Sequence, residues 1–162
     1  MAKDLFKGVI YTAAAQIMSL LFVLLCAAFL NNGFFSLIIG LCSAFLYYGL
    51  AVNHALNTAK RDASRIRKIN KPYFLKSVLL GLFSSLIPLV LLAVLIISKY
   101  GLIKDFMLPY RLLNGYFILI TRDMTHSAAS VTGLQTALLL GAGLVPVPVC
   151  AVTYCISIKK LI

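Results

Sequence analysis

Residues 74–98 have the sequence FLKSVLLGLFSSLIPLVLLAVLIIS, in which Lys76, near the start, is the only charged residue. A helix that crosses about 30 Å of hydrocarbon needs about 20 mostly apolar residues, because only a helix or a closed barrel satisfies the backbone polar groups there. The apolar residues form a continuous run rather than an alternating one, which disfavours a transmembrane β-barrel. This segment therefore predicts a transmembrane helix.

Three further segments, at about residues 9–30, 34–52 and 131–158, have the same continuous apolar character. The chain of 162 residues is 62 % hydrophobic and 12 % charged, whereas a soluble domain is about a quarter charged. So few charges cannot cover the apolar surface of a soluble monomer. We therefore predict an all-α polytopic membrane protein with four transmembrane helices, forming a single membrane domain over residues 1–162.

The loops differ in charge, and Lys and Arg concentrate in the cytoplasmic loops of membrane proteins. The chain has 15 Lys and Arg but only 4 Asp and Glu. Most of the cations fall at the two termini and around the loop 55–73: Lys3, Lys7, Lys60, Arg61, Arg65, Arg67, Lys68, Lys71, Lys76, Lys159 and Lys160. Lys99, Lys104, Arg111 and Arg122 fall in the loop 99–130. This distribution predicts a multi-pass protein of the plasma membrane with both termini in the cytoplasm.

The loop 55–73 is basic and amphipathic as far as Pro72, which disfavours helix in the residue before it. Apolar residues recur there at helical spacing, so the second helix either continues into the cytoplasm or bends and lies on the membrane. Five cations are candidates for contact with anionic lipid headgroups or with an acidic partner: Lys60, Arg61, Arg65, Arg67 and Lys68. The run lacks interleaved aromatic residues and a recognisable module, so we do not expect nucleic-acid binding.

The loop 99–130 contains its own helical pattern. Its apolar and aromatic residues step by four and three positions: Phe106, Tyr110, Leu113, Phe117 and Ile120. The segment is too short and too polar to span, so it predicts a short amphipathic helix that is either interfacial or re-entrant. Its polar residues form a candidate site made of Asp105, Arg111, Asn114 and Arg122, with Asp123 and His126 nearby. The alternative is that these groups pair with each other or with lipid phosphates.

The sequence lacks the residue patterns that most chemistry requires. No acidic residue lies within a predicted span, and there is no His-Glu constellation for zinc and no glycine-rich phosphate loop. His54 and His126 are predicted on opposite sides of the membrane, where we expect both to be solvated. We therefore expect no enzyme activity, no catalytic residues, no metal and no cofactor.

Prolines and small residues shape the last two spans. Proline removes a backbone hydrogen bond and kinks a helix, and nearby glycines loosen the turn. The candidate residues for such a helix break are Pro88, Gly141, Gly143, Pro146 and Pro148. In a transporter such a break exposes backbone groups to an ion or substrate, whereas in a structural protein it only shapes the packing.

Two other patterns concern contacts between helices. Gly40 with Ala44, and Ala137 with Gly141, have the four-residue spacing of small residues that lets helix backbones approach closely. Polar side chains near the cytoplasmic ends are expected to bond between helices: Tyr47, Tyr48, Asn53 and Tyr154.

The run Tyr110-Arg111-Leu112-Leu113-Asn114 resembles a pattern in small, uncharacterised four-helix membrane proteins of Gram-positive bacteria. Further elements follow in similar order: Tyr48-Gly49, Pro88, Lys99-Tyr100-Gly101, Pro146, Cys150 and Tyr154. The resemblance covers residues 48–160 and implies four helices in a bacterial plasma membrane, without implying an activity. The basic residues between Lys60 and Lys76 depart from the pattern, which has more acidic residues and glycines there.

Two functions fit this sequence. The favoured one is a non-enzymatic membrane protein that forms an oligomer or serves as an accessory subunit of a membrane assembly, because four spans enclose little room for a private substrate pathway. The alternative is a small transporter, channel or holin-like pore, with a route lined by the helix break and by the region of Arg111 and Asn114.

Overall fold

The structure of the protein is a computed structural model that describes residues 2–26, 28, 32–69, 74–121 and 127–161. For residues 2, 64–69, 116, 118, 119 and 161 it describes the backbone alone. The described residues are mostly helical and contain no β-strand. The helices are α1 (Ala2–Leu25), α2 (Gly33–Ile69), α3 (Phe74–Lys99), α4 (Met107–Leu113), α5 (Ile118–Thr121), α6 (Gly133–Leu144) and α7 (Pro146–Leu161).

Four helical segments are long and apolar enough to cross a membrane: Lys3–Leu25, Gly33–Ala63, Phe74–Lys99 and Gly133–Lys160. The predicted fold class is therefore confirmed, and the chain is an all-α polytopic membrane protein. The fourth segment consists of α6 followed by α7, which meet at Val145. The first span differs from its predicted range of 9–30, since α1 begins at Ala2 and ends at Leu25.

The four spans form a bundle in which α1 and α7 lie diagonally opposite each other. Both α1 and α7 pack along α2 and along α3, while α2 and α3 touch little. We call the end where α1 and α3 begin and α2 and α7 end the terminal face, and the opposite end the loop face. Helices α1 and α3 thus run away from the terminal face, and α2 and α7 run toward it.

The second helix continues without interruption to Ile69. Its 37 residues extend for about 55 Å at about 1.5 Å per residue, well beyond the hydrocarbon thickness of about 30 Å. The structure thus favours continuation of the helix over a bend onto the membrane. At the beginning of α2, the side chain of Asn32, the residue before the helix, accepts a hydrogen bond from the Phe34 N–H at 3.0 Å.

The backbone carbonyl that Pro88 leaves without a donor in α3 is hydrogen-bonded by neighbouring helices. Proline at position 88 cannot donate to the carbonyl of Ser84, four residues earlier. That carbonyl instead accepts hydrogen bonds from the Thr12 hydroxyl at 2.8 Å and the Tyr47 hydroxyl at 3.3 Å. The freed backbone group is therefore used for packing and is not presented to an open route.

At the break between α6 and α7, a side chain of a neighbouring helix likewise bonds to a backbone carbonyl that a proline leaves without a donor. Pro146 cannot donate to the carbonyl of Ala142. That carbonyl instead accepts hydrogen bonds from the Val145 N–H at 3.4 Å and from the Tyr48 hydroxyl at 3.1 Å. Pro148 lies in the first turn of α7, where a missing N–H does no harm. Of the two glycines predicted to loosen the break, Gly141 is exposed, whereas Gly143 is buried and faces Pro88 and Leu89.

Gly81 lies where the backbones of α3 and α7 approach each other closely. A Cβ atom added there would overlap the Val147 Cα and lie 2.8 Å from the Pro146 carbonyl oxygen. Both are backbone atoms, so no side-chain movement could make room. Only glycine lets the two helices pack at this distance, and the sequence analysis did not single it out.

Candidate functional site: a charge network and a polar column

Four charged side chains meet at the terminal face, and we call them with Tyr154 the charge network. The Lys76 ammonium lies 2.6 Å from Asp62 Oδ2 and 3.0 Å from Asp4 Oδ2. Arg61 Nη2 lies 3.0 Å from the other oxygen of Asp4. The Tyr154 hydroxyl donates to Asp62 Oδ2 at 2.7 Å. The network therefore joins α1, α2, α3 and α7 at one end of the bundle.

The central pair of the network is withdrawn from solvent. The side chains of Lys76 and Asp62 are only 7 % and 8 % exposed, whereas that of Arg61 is 49 % exposed. A buried ion pair adds little net stability, but removing one partner leaves an uncompensated buried charge. The network thus fixes the relative positions of the four helix ends more than it stabilises the bundle as a whole.

The structure gives Arg61 a different role from the other basic residues of the loop 55–73. Arg61 was predicted to contact anionic lipid or an acidic partner, and its guanidinium is bonded to Asp4 within the chain. Lys60 is exposed, as a headgroup contact requires. The side chains of Arg65, Arg67 and Lys68 lie outside the described part of the chain, although their backbone belongs to α2.

His54 lies directly beyond the charge network, inside the bundle. The prediction of a solvated histidine is wrong, since His54 is 2 % exposed. Its Nε2 atom lies 3.1 Å from the Asp4 carbonyl oxygen, and its ring centroid lies 5.1 Å from that of Tyr11. A Cβ atom on Gly8 would be 3.4 Å from His54 Nε2 and 3.3 Å from Ser84 Oγ. Gly8 therefore leaves the space into which the imidazole and the Ser84 hydroxyl face.

Polar side chains continue from His54 along the inner face of α1. Thr12, Gln16 and Ser19 are all buried and follow one another at helical spacing. Thr12 bonds to the Ser84 carbonyl, and the Gln16 amide lies 3.5 Å from Asn114 Oδ1. Together with the buried polar residues that bond to them or lie beside them, these residues form what we call the polar column: Thr12, Gln16, Ser19, Tyr47, His54, Ser84 and Asn114.

Five buried hydroxyls, spread over several helices, have no hydrogen-bond partner among the described residues. They are at most 1 % exposed and belong to Ser19, Ser43, Ser85, Tyr110 and Thr121. A buried polar group that makes no hydrogen bond costs about 1–3 kcal/mol. The bundle thus tolerates polar groups that apolar residues of similar size would replace at a gain in stability.

The segment 107–121 enters the loop face of the bundle. Its first helix, α4, is followed by a 3-10 turn at Gly115–Phe117 and by the short α5. Asn114 ends α4 and lies beside Gln16, nine residues before the end of α1. A Cβ atom on Gly115 would lie 2.8 Å from Val23 Cγ2 and 3.1 Å from Ser19 Oγ. Of the two predicted alternatives, the structure favours the re-entrant segment.

Only some of the residues in the predicted apolar pattern of this segment are buried in the bundle. Tyr110 and Phe117 are buried, and Phe106 and Ile120 pack against the same core. Leu113, in contrast, is 36 % exposed. The helix ends at Asn114 because the next turn tightens where Gly115 packs against α1.

The described residues of the predicted outer site do not converge on one site, and each makes separate contacts. Asp105 accepts hydrogen bonds from the N–H groups of Met107 and Ala128, while Arg111 donates to the Thr121 carbonyl. Asn114 turns inward to Gln16. Arg122, Asp123 and His126 lie outside the described residues. The N–H donors of Met107 and Ala128 hold the pKa of the exposed Asp105 carboxyl below its usual range, so the carboxylate remains charged and closes the start of the segment.

The sequence analysis missed the charge network and the polar column. One signal was available, because two of the chain's four acidic residues, Asp4 and Asp62, fall outside the predicted spans in segments rich in cations. The expected contacts of three polar side chains are confirmed, since Tyr47, Tyr48 and Tyr154 each bond to another helix. Asn53 instead accepts from Asn57 in its own helix.

No protein-family model, curated protein or solved structure matches this chain.

Proposed function

We propose that this protein is a non-enzymatic subunit of a membrane assembly, formed with further copies of itself or with another membrane protein. The observation that carries this proposal is the outward position of the small residues of α6. Gly133, Ala137 and Gly141 follow at intervals of four residues and are all exposed. Small residues at this spacing allow a second helix to approach closely in a bilayer.

Two pairs of glycines differ in how closely other atoms surround them, and this difference supports the interpretation. Gly81 and Gly115 face inward and are in close contact with neighbouring atoms. Gly133 and Gly141 have no described atom within 4 Å of an added Cβ. Glycine inside a helix costs about 1 kcal/mol relative to alanine, so the position of Gly141 has no benefit within the subunit itself. A helix of another subunit that packs against Gly141 would make the missing side chain favourable, because it allows the two helices to approach closely.

Replacing Gly141 with leucine is expected to reduce association of the protein in lipid nanodiscs or mild detergent, because the bulky side chain keeps the partner helix away. Mass photometry or light scattering measures the change in assembly mass. The control variant Val90→Leu enlarges an exposed side chain on α3 and is expected to leave the mass unchanged. An unchanged assembly in Gly141→Leu, or a wild-type protein that is monomeric and purifies without a partner, would contradict the proposal.

The proposed location is the plasma membrane, with the terminal face in the cytoplasm and in contact with anionic lipid headgroups. Asp4 and Asp62 are engaged inside the charge network, and Asp105 is engaged at the loop face. Lys3, Lys60, Lys159 and Lys160 are exposed at the terminal face, and a juxtamembrane cation is attracted to anionic lipid by about 1 kcal/mol. Because Asp4 and Asp62 are bonded within the charge network, the exposed lysines leave this surface strongly basic.

The orientation is tested by labelling single cysteines in intact cells. We expect a membrane-impermeant maleimide to label Ser127→Cys from outside and to label Ser64→Cys only after permeabilisation. A background variant in which Cys26, Cys42, Cys150 and Cys155 are replaced by serine is the control for specificity. Labelling of position 64 from outside would invert the proposed topology.

A second candidate function is a small transporter or channel, and the polar column is the observation that favours it. The column extends from the charge network to the re-entrant segment, and the hydroxyl of Ser19 within it is buried and has no hydrogen-bond partner among the described residues. The proposed route follows α1 and ends at Asn114, which also belonged to the route predicted from the sequence, whereas Arg111 and the break between α6 and α7 are not part of it. Each protomer of an assembly could contain such a route.

A further inference from the structure

We infer that the partner in the proposed assembly is a transmembrane helix of another membrane protein, which packs along the exposed side of α6 and α7 and carries acidic residues at the terminal face. This inference rests on the proposed role as an assembly subunit and names the chemistry of the partner. Three observations support it: a line of small exposed side chains, a hollow on the same line, and two exposed lysines where the line reaches the terminal face.

The small exposed side chains of α6 and α7 lie on one side of a continuous path. Val145, between the two helices, has helical backbone angles (φ −50°, ψ −36°), so the helical register continues from α6 into α7. At about 100° per residue, four exposed residues then project within about 60° of one another: Ala137, Gly141, Pro148 and Val152. They extend for about 22 Å, most of the hydrocarbon thickness of about 30 Å.

The exposed sides of the other three spans are lined by large side chains. Examples are Leu21 and Leu24 on α1, Phe34 and Phe45 on α2, and Leu82 and Leu86 on α3. The line on α6 begins at Ala137, just after the exposed Leu134, and the exposed Leu138 and Leu140 flank it. Small residues let a second backbone approach closely, so this side of the bundle is the one suited to a further helix.

A hollow on the outer side of α7 continues the line toward the terminal face. Pro148, Val149, Val152 and Thr153 surround about 330 Å³ of open space there. Helices in a bilayer associate largely through van der Waals packing of their side chains. The hollow therefore offers a place for large side chains of the partner helix, next to the point of close approach at Gly141.

The line ends at the terminal face with two lysines. Lys159 lies two turns beyond Val152 on the same side of α7, and both Lys159 and Lys160 are exposed. Among the described residues, no acidic side chain forms an ion pair with either lysine, and Asp4 and Asp62 are bonded within the charge network. A partner helix with Asp or Glu where it leaves the membrane would supply the counter-charges.

A second copy of the chain is less suited to this surface. In a two-fold pair, both copies use the same surface, so Lys159 and Lys160 of one copy would face the same two residues of the other. Like charges opposed in this way are unfavourable. In the assembly with a different protein, these two lysines face the partner, and the exposed Lys3 and Lys60 remain for lipid headgroups.

The test measures energy transfer between the donor-labelled full-length protein and acceptor-labelled synthetic transmembrane helices in phosphatidylcholine vesicles. The two probe peptides are leucine-rich helices with glycine at every fourth position, and they differ only in a run of Glu or Lys at one end. We expect the glutamate peptide to associate about tenfold more tightly than the lysine peptide, because ion pairs replace like-charge contacts. An acceptor-labelled second copy is expected to bind more weakly than the glutamate peptide.

Charge reversal tests the assignment of the two lysines. The double variant Lys159→Glu, Lys160→Glu is expected to bind the lysine peptide more tightly than the glutamate peptide. The matched control Lys3→Glu, Lys60→Glu reverses the same number of exposed cations on α1 and α2, and we expect it to retain the wild-type preference. Equal association of both peptides with the wild type, or a preference that only the control variant reverses, would overturn the inference.

Further outcomes separate this inference from the function on which it rests. A second copy that binds more tightly than the glutamate peptide would overturn the inference while supporting the assembly role. Association of the glutamate peptide that Gly141→Leu leaves unchanged would overturn both. If the preference disappears in vesicles that contain phosphatidylglycerol, the two lysines belong to lipid headgroups and the inference is wrong.

Discussion

Gly81→Ala is expected to lower the free energy of unfolding by about 3 kcal/mol, at the upper end of what overpacking costs in a protein interior. The added Cβ would overlap the Val147 Cα and lie 2.8 Å from the Pro146 carbonyl oxygen, so α7 must move away from α3. These two helices share one of the most extensive contacts in the bundle. Unfolding of the purified protein in mixed detergent and SDS micelles measures the loss.

Gly49→Ala is the matched control for this experiment. Gly49 lies inside α2, and an added Cβ would meet no described atom within 4 Å. Alanine is the better helix former by about 1 kcal/mol, so we expect this variant to be as stable as the wild type or slightly more stable. Equal stability of Gly81→Ala and Gly49→Ala would show that α3 and α7 do not approach as closely as described.

Lys76→Met is expected to cost about 3–5 kcal/mol, because it leaves the Asp62 carboxylate buried without a counter-ion. Asp4 is affected less, since Arg61 still neutralises it. The same micelle titration measures the change. The control variant Lys60→Met removes an exposed cation next to the network and is expected to change stability by less than about 1 kcal/mol.

The double variant Lys76→Met, Asp62→Asn tests the physical reason for that loss. Replacing both partners of a buried ion pair is often neutral, so most of the stability lost in Lys76→Met should return. The Tyr154 hydroxyl, which donates to Asp62 in the wild type, would still find an acceptor in the amide oxygen of the new side chain. A double variant as unstable as Lys76→Met would mean that packing of the lysine stem, and not the charge, holds the helix ends together.

The four spans could be predicted because bilayer length and apolar composition are local properties of the sequence. The interhelical hydrogen bonds of the Tyr47 and Tyr48 hydroxyls could also be predicted, because a polar group within an apolar helix needs a hydrogen-bond partner on another helix. The re-entrant segment was predicted as a helix, but its depth depends on the fit of Gly115 against Ser19, which no local pattern reports.

The charge network lay beyond sequence reasoning for a different reason. Asp4 and Lys76 are 72 residues apart, and they meet only because α1 and α3 are parallel neighbours. Likewise, Gly81 and Gly49 look alike within apolar runs, although one has backbone atoms against it and the other faces open space. Neighbour relations and register among helices decide such contacts, and several arrangements of four helices satisfy the same hydropathy pattern.

The adjacent tyrosines of α2 have a mechanical consequence. Consecutive residues on a helix project about 100° apart, so Tyr47 and Tyr48 hold two different neighbours, one at the Ser84 carbonyl of α3 and the other at the Ala142 carbonyl near the end of α6. Turning α2 about its own axis would withdraw both hydroxyls in a single motion. The positions of two helices are thereby tied to the rotation of a third.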